Sequence, residues 1–333
     1  MKNILFFLFF AVIFCDHKTF VGCEGNFYQS NGSLWTIEGQ EVWEFDGNPL
    51  GEIVQSLYVH ESNLYVTVNG SHSIYVFDIT DSGLIQRQLI DTNFSSPREM
   101  LVYNNYLYVS NWYSADIKKI DINLWEIVNE ISMPGLPEDI LLHDGKLYAS
   151  ITMNYDWTDG DKVVVINPET DSIIETYTVG TGPGDLLVHD DEIYISRTYY
   201  DENWNAFYGT SKIDRNGDVL MANYGAGTAC GGSVLSYNDA VYRVFDGGIA
   251  RIDEDLMIMP ETRIGDFNAA DVYAVDVYDD YIYFGLTDFS SPDQVVVVDN
   301  NGNIVNELNV GVAPGDFAFW EACIANGDIN NDN

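Results

Sequence analysis

The chain has 333 residues and carries 52 acidic against 14 basic side chains, a net charge of −38. Lys and Arg are what neutralise phosphates, so this balance excludes nucleic acid or an anionic lipid surface as a partner. A hydrophobic content of 46% with 14% aromatic residues excludes a disordered acidic tail, and abundant Tyr, Phe and Gly point to strands joined by turns.

In chain order, Met1-Lys2-Asn3 precedes an apolar run from Ile4 to Phe14. A short positive start before a run of that length predicts a signal peptide over residues 1–14, too short to span a bilayer as a helix. Val12-Ile13-Phe14-Cys15 resembles a bacterial lipobox, with Phe14 where a small residue is expected. On that reading Cys15 is lipidated and residues 15–23 form a tether; an ordinary secreted start is the alternative. No later stretch is apolar enough to cross a membrane, so the chain is expected to be exported.

The rest of the chain repeats. A hydrophobic-Tyr pair after a turn recurs at Tyr28, Tyr65, Tyr108, Tyr148, Tyr194, Tyr242 and Tyr283, at steps of 37, 43, 40, 46, 48 and 41 residues. Each is followed by an alternating strand closing on Asp or Asn, such as Tyr75-Val76-Phe77-Asp78 and Val296-Val297-Val298-Asp299, whose last residue suits a hairpin turn. A Pro-x-acid triplet precedes four units: Pro97-Arg98-Glu99, Pro137-Glu138-Asp139, Pro183-Gly184-Asp185 and Pro314-Gly315-Asp316. Seven units near this period, without a 3.6-residue apolar pattern, predict an all-β fold over residues 24–324. Its form is a seven-bladed β-propeller of four-stranded antiparallel blades. The first unit lacks its leading strand, and Asp316-Phe317-Ala318-Phe319-Trp320 supplies it, so a C-terminal strand completes blade one and closes the ring. Residues 325–333 read as a frayed acidic tail. Asp328-Ile329-Asn330-Asn331-Asp332-Asn333 opens like a calcium loop but lacks the central Gly and the closing acid.

Tyr108-Val109-Ser110-Asn111 and the turn from Val165 to Thr170 make the repeats resemble the YVTN or YncE-like seven-bladed propellers. Glu24-Gly25-Asn26-Phe27 with Asn31-Gly32-Ser33-Leu34 is similar to a subgroup of Bacteroidetes-type surface lipoproteins. That subgroup includes a propeller capturing cobalamin beside an outer-membrane corrinoid transporter. The resemblance implies the fold across nearly the whole repeat region and, more weakly, a capture role. Fold alone does not assign activity.

His60, His143 and His189 recur at one repeat position, which marks architecture, and no convergent His cluster, nucleophile elbow or phosphate loop is present. The carboxylates of Glu99, Asp139, Asp185 and Asp316 are expected at one mouth of the central channel, each chiefly capping its own turn. The loops between second and third strands open on the same face. In three consecutive units they carry Trp112, Tyr113, Tyr155, Trp157, Tyr199, Tyr200, Trp204 and Tyr208 in polar sequence. Exposed rings of this kind mark a binding surface. These eight, crowding one sector with Asp139 and Asp185 nearby, are the candidate ligand site for a corrinoid or an oligosaccharide. No catalytic residue and no firm cofactor is implied, and the protein is expected not to be an enzyme. A lactonase- or quinoprotein-type propeller holding a channel ion such as calcium, and a surface-layer or adhesion module, are the alternatives. The partners expected are the ligand and an outer-membrane transporter. Finally, Cys23 before the Tyr28 strand and Cys323 at the end of the closing strand predict a disulfide contributing on the order of 4–5 kcal/mol, with Cys230 left as a free thiol.

Overall fold

A computed structural model describes residues 13–227, 233–290 and 292–325, with side chains from His17 to Glu321 in those ranges. Most of the expected signal peptide, Cys230 and residues 326–333 of the expected tail lie outside the described residues.

Seven antiparallel sheets follow one another around a ring. Their innermost strands are Pro314–Ala325, Val54–His60, Pro97–Tyr103, Leu136–His143, Pro183–His189, Val234–Tyr237 and Val272–Tyr278, each packed against the next, with Val272–Tyr278 meeting Pro314–Ala325. Six blades have four strands. Blade six has three among the described residues, its outer edge extended by the bridges Ile249 to Ile264 and Ile252 to Ile258.

The second strand of each blade is the wedge. In Asn63–Val68 and Tyr106–Asn111 every residue after the first is buried, because both sheet faces meet a neighbouring blade. The fourth strand is the rim: Ser172–Thr178 exposes six of its seven residues, and Glu126–Ser132 shows charged and amide side chains that discourage edge pairing.

Blade one closes the ring as expected in one respect and departs in another. Pro314–Ala325 is its innermost strand, in the order Pro314–Ala325, Ile13–Cys23, Ser33–Glu38, Glu41–Glu44. Its second strand, however, is Ile13–Cys23 and not the segment around Tyr28. Phe20 pairs with Ala318 as Tyr108 pairs with Leu101 in blade three, so Phe20 holds the repeat position of the tyrosine. Phe20 packs into the core shared with blade two, and Val21 into the core shared with blade seven, as the two-residue alternation of a strand requires. Residues 17–23 are therefore a core strand, not a tether. Phe27 and Tyr28 lie in an exposed loop.

The same register removes the Cys23–Cys323 disulfide. Cys23 stands opposite Pro314 and Cys323 opposite Cys15, so the two lie nine residues apart along one strand pair, roughly 30 Å at the usual rise. The Cys23 thiol is free and buried, and burial pushes its pKa up.

Candidate functional site

The Pro-x-acid triplets begin the innermost strands, where a bulge opposite the second strand turns the acid out of the ladder. A Ser on the second strand fills the gap: the hydroxyls of Ser110, Ser150 and Ser196 accept from the backbone N–H of Glu99, Asp139 and Asp185. The carboxylates then do more than cap their own turns. Asp139 accepts from Ile140 N–H and from Leu186 N–H of the next blade, each at 2.6 Å, and Asp316 accepts from Leu57 N–H of the next blade at 2.6 Å. These bonds sew neighbouring inner strands together around the channel.

The channel mouth is a cavity of about 460 Å³ whose walls include Glu24, Glu99, Glu138, Asp139, Asp185, Asp276 and Asp316. Arg98 is the cation at this opening. It forks onto Glu138 at 2.5 to 3.2 Å, bonds Gln55, and stacks its guanidinium 4.1 Å from the Trp112 ring centroid. Burial, then mutual repulsion, holds the acids up: Asp139 rises to about 7, chiefly from desolvation and next from Asp185, and Asp276 rises to about 7 by desolvation. Glu99 and Asp316 are raised well above the usual carboxylate range by burial, with Asp316 and Asp276 respectively the leading charged neighbours. Among the described residues no three His, Cys, Asp or Glu side chains converge as a metal-binding group; the acids ring the opening without closing on a point.

The eight aromatic residues do not form one cluster. Trp112, Tyr113 and Trp157 are in contact, with Trp157 edge-on to Trp112 at 6.1 Å and to Tyr113 at 6.3 Å. Tyr155, on the loop that carries Trp157, is exposed and donates its hydroxyl to Met133 C=O. Tyr200 and Trp204 form a second exposed pair at 6.1 Å, and Tyr199 stacks on Phe207. Tyr208 departs from the expectation: it is partly buried beneath the Arg243 guanidinium at 4.9 Å and against Tyr224, because its strand position points it between blades.

Two residues outside those eight complete the first group. Phe94 lies 5.6 Å from Tyr113, and His72 lies 4.1 Å from Phe94 and 5.6 Å from Tyr113. His72 is held by Ser96 N–H at Nδ1, and burial lowers its pKa. The result is an arc of five rings, His72, Phe94, Tyr113, Trp157 and Trp112, spanning the loops of blades two to four. Through Trp112 and Arg98 it abuts the channel opening. Asp276 and Glu24 were missed as channel acids because neither follows a Pro-x-acid triplet; Glu24 is fixed by the Tyr273 hydroxyl at 2.8 Å.

No family model matches the chain, and no curated protein does. Solved structures match along almost the whole length. A Bacteroides fragilis protein named as a candidate 6-phosphogluconolactonase is 14% identical, with a TM-score of 0.65, covering 92% of this chain and 98% of that one. BamB from Moraxella catarrhalis is 15% identical, with a TM-score of 0.57, covering 88% and 87%. Apo AztD from Citrobacter koseri is 11% identical, with a TM-score of 0.57, covering 94% and 99%. At these identities the likeness concerns the fold alone. The chain is a seven-bladed β-propeller.

Proposed function

We propose that this propeller is a non-enzymatic capture protein, exported and anchored through Cys15. It takes a large ligand with an apolar face, a corrinoid or a glycan, and passes it to an outer-membrane transporter. The observation that carries this reading is the five-ring arc beside an acidic channel mouth. Rings in polar loops gain nothing by facing water, and flat side chains offer contact area at small rotamer cost. The acids favour neutral or cationic groups over phosphates. Asp139 and Asp185 serve as the polar wall of the opening, Asp139 being already committed in part to backbone N–H groups.

The anchor fits this arrangement. The strand Ile13–Cys23 runs toward the mouth face and ends there at Cys23, so its Cys15 end lies on the opposite face. Cleavage before Cys15 would remove two strand residues and leave Phe20 and Val21 in place. An anchor there would turn the ring arc away from the membrane. The YncE-like resemblance and the surface-lipoprotein subgroup support the same reading.

Titration of the purified protein with cobalamin and a panel of glycans, followed by tryptophan fluorescence and calorimetry, tests it. Saturable binding to the parent protein, weakened at least tenfold by Trp157→Ala, is expected. Absence of binding to every member of the panel would overturn the capture reading.

A further inference from the structure

Three features of the arc narrow the ligand class, and this narrowing rests on the capture reading above. The first is its shape. Successive ring centroids are 4.1, 5.6, 6.3 and 6.1 Å apart, while the planes turn by 52°, 48°, 77° and 83° from one ring to the next. A flat macrocycle needs coplanar rings beneath it. His72 also lies 5.6 Å from Tyr113, so the five rings make three facets, the His72–Phe94–Tyr113 bunch, Trp157 and Trp112. A faceted surface of this kind suits a few linked sugars, each laying its C–H face on a different facet while its hydroxyls point outward.

The second feature is charge. The loops at residues 69–72, 92–96, 112–115 and 154–158 contain no Lys or Arg, and Arg98 is already occupied by Glu138. Carboxylated or sulfated sugars would find no counter-charge. Exposed Asn93 and Asp156, beside Phe94 and Trp157, offer donors and acceptors to neutral hydroxyls.

The third is backbone strain. Phe94 and Trp157 sit at φ 58° and 65°, the left-handed region that a bulky side chain occupies only at a cost. Asn or Gly would hold those turns more comfortably. Yet both rings are exposed, at 69% and 54%, so packing does not explain the choice. The loops are nevertheless fixed: Trp157 N–H donates to Asn154 C=O, Asn154 N–H to Thr158 C=O, and Asp156 accepts from Thr158. Strain retained in an ordered, exposed turn points to an external contact.

We infer that the arc is a set of subsites for a linear neutral glycan of about three units, with Trp157, which touches both Tyr113 and Trp112, as its middle platform. The test is calorimetric titration of the full folded chain with neutral β-1,4- and α-1,4-linked glucose oligomers of two to six units, with cobalamin as the compact comparison. Thermal melts of Trp157→Asn, Phe94→Asn and the parent accompany it. Affinity in one linkage series should rise at least tenfold from two units to three and then level. Trp157→Asn should lose at least tenfold of it while melting at the parent temperature or above. Binding of cobalamin with no length-dependent binding of either series would overturn this inference and leave the capture reading standing. No binding of any probe, with a lower melting temperature in both Asn variants, would overturn both readings and make the rings structural.

Discussion

The two faces of the disc use the same left-handed turn and fill it differently. Away from the channel mouth, the hairpins joining first to second strands place Asn105, Asp144, Asp191, Asn238 and Asp279 at positive φ, residue types whose short polar side chains tolerate that conformation. On the mouth face Asn93 and Asp246 hold it as well, but so do Tyr28, Phe94, Trp157, Trp204 and Phe289, whose side chains do not tolerate it. Large side chains at positive φ also occur on the far face, but there they are tucked in. Trp125 packs on Tyr65 and under Arg87, and Leu256 is fully buried. Only on the mouth face are strained aromatic residues also exposed. Backbone requirements therefore explain the turn residues of the far face but not the exposed aromatic residues of the mouth face.

That contrast can be broken by substitution, and the largest effect should come from neither face but from the wedge that supports both. Phe20→Ala, at 0% exposure between blades one and two, should cost about 3–5 kcal/mol of stability in denaturant melts. Tyr28→Ala, in the exposed mouth loop, should change it by less than about 0.5 kcal/mol. Equal losses would mean that blade one is threaded differently.

Next in size is ligand binding. Trp157→Ala should cost roughly 2 kcal/mol or more of affinity with folding intact, whereas Trp204→Ala, whose ring lies outside the arc, should cost under about 1 kcal/mol. Comparable losses at both positions, measured by titration with whichever ligand binds, would join the two aromatic groups into one site.

The channel between the faces predicts a pH effect. Asp139 and Asp276 titrate near 7 in the folded chain, well above the unfolded carboxylate range. Their contribution to stability is fully present below the unfolded value near 4 and is lost as pH rises through about 7. The melting temperature should therefore fall between pH 5 and pH 8. Asp276→Asn should recover roughly 1–2 kcal/mol at pH 8 and little at pH 5. A pH-independent difference between this variant and the parent would show that its carboxyl is not the group titrating.

The smallest effect belongs to the far face. Asn238→Gly, in the turn after Val234–Tyr237, should move stability by a few tenths of a kcal/mol and leave ligand binding unchanged. A binding loss there would extend the site through the disc.

The period of the tyrosines, the closing acids of the third strands and the Pro-x-acid triplets were enough to specify seven blades closed by the C-terminal strand. Local alternation and turn chemistry repeat in every unit, and repetition makes a weak local signal strong. The same reasoning went astray where a unit departs from its repeat. Thr19-Phe20-Val21-Gly22-Cys23 lacks the tyrosine and follows closely on the apolar run Ile4 to Phe14, so its place as a wedge is visible only once its register with Pro314–Ala325 is known. The acids at the channel mouth were legible as a group, but not their bonds to the next blade, since Asp139 and Leu186 meet only when two blades pack. Aromatic residues on the mouth loops stood out in sequence. Which of them touch did not, because His72 and Phe94 reach Tyr113 from other segments, while Tyr208 turns inward beneath Arg243. Side-chain neighbours across blades are set by how sheets pack around the ring, and no single repeat encodes that.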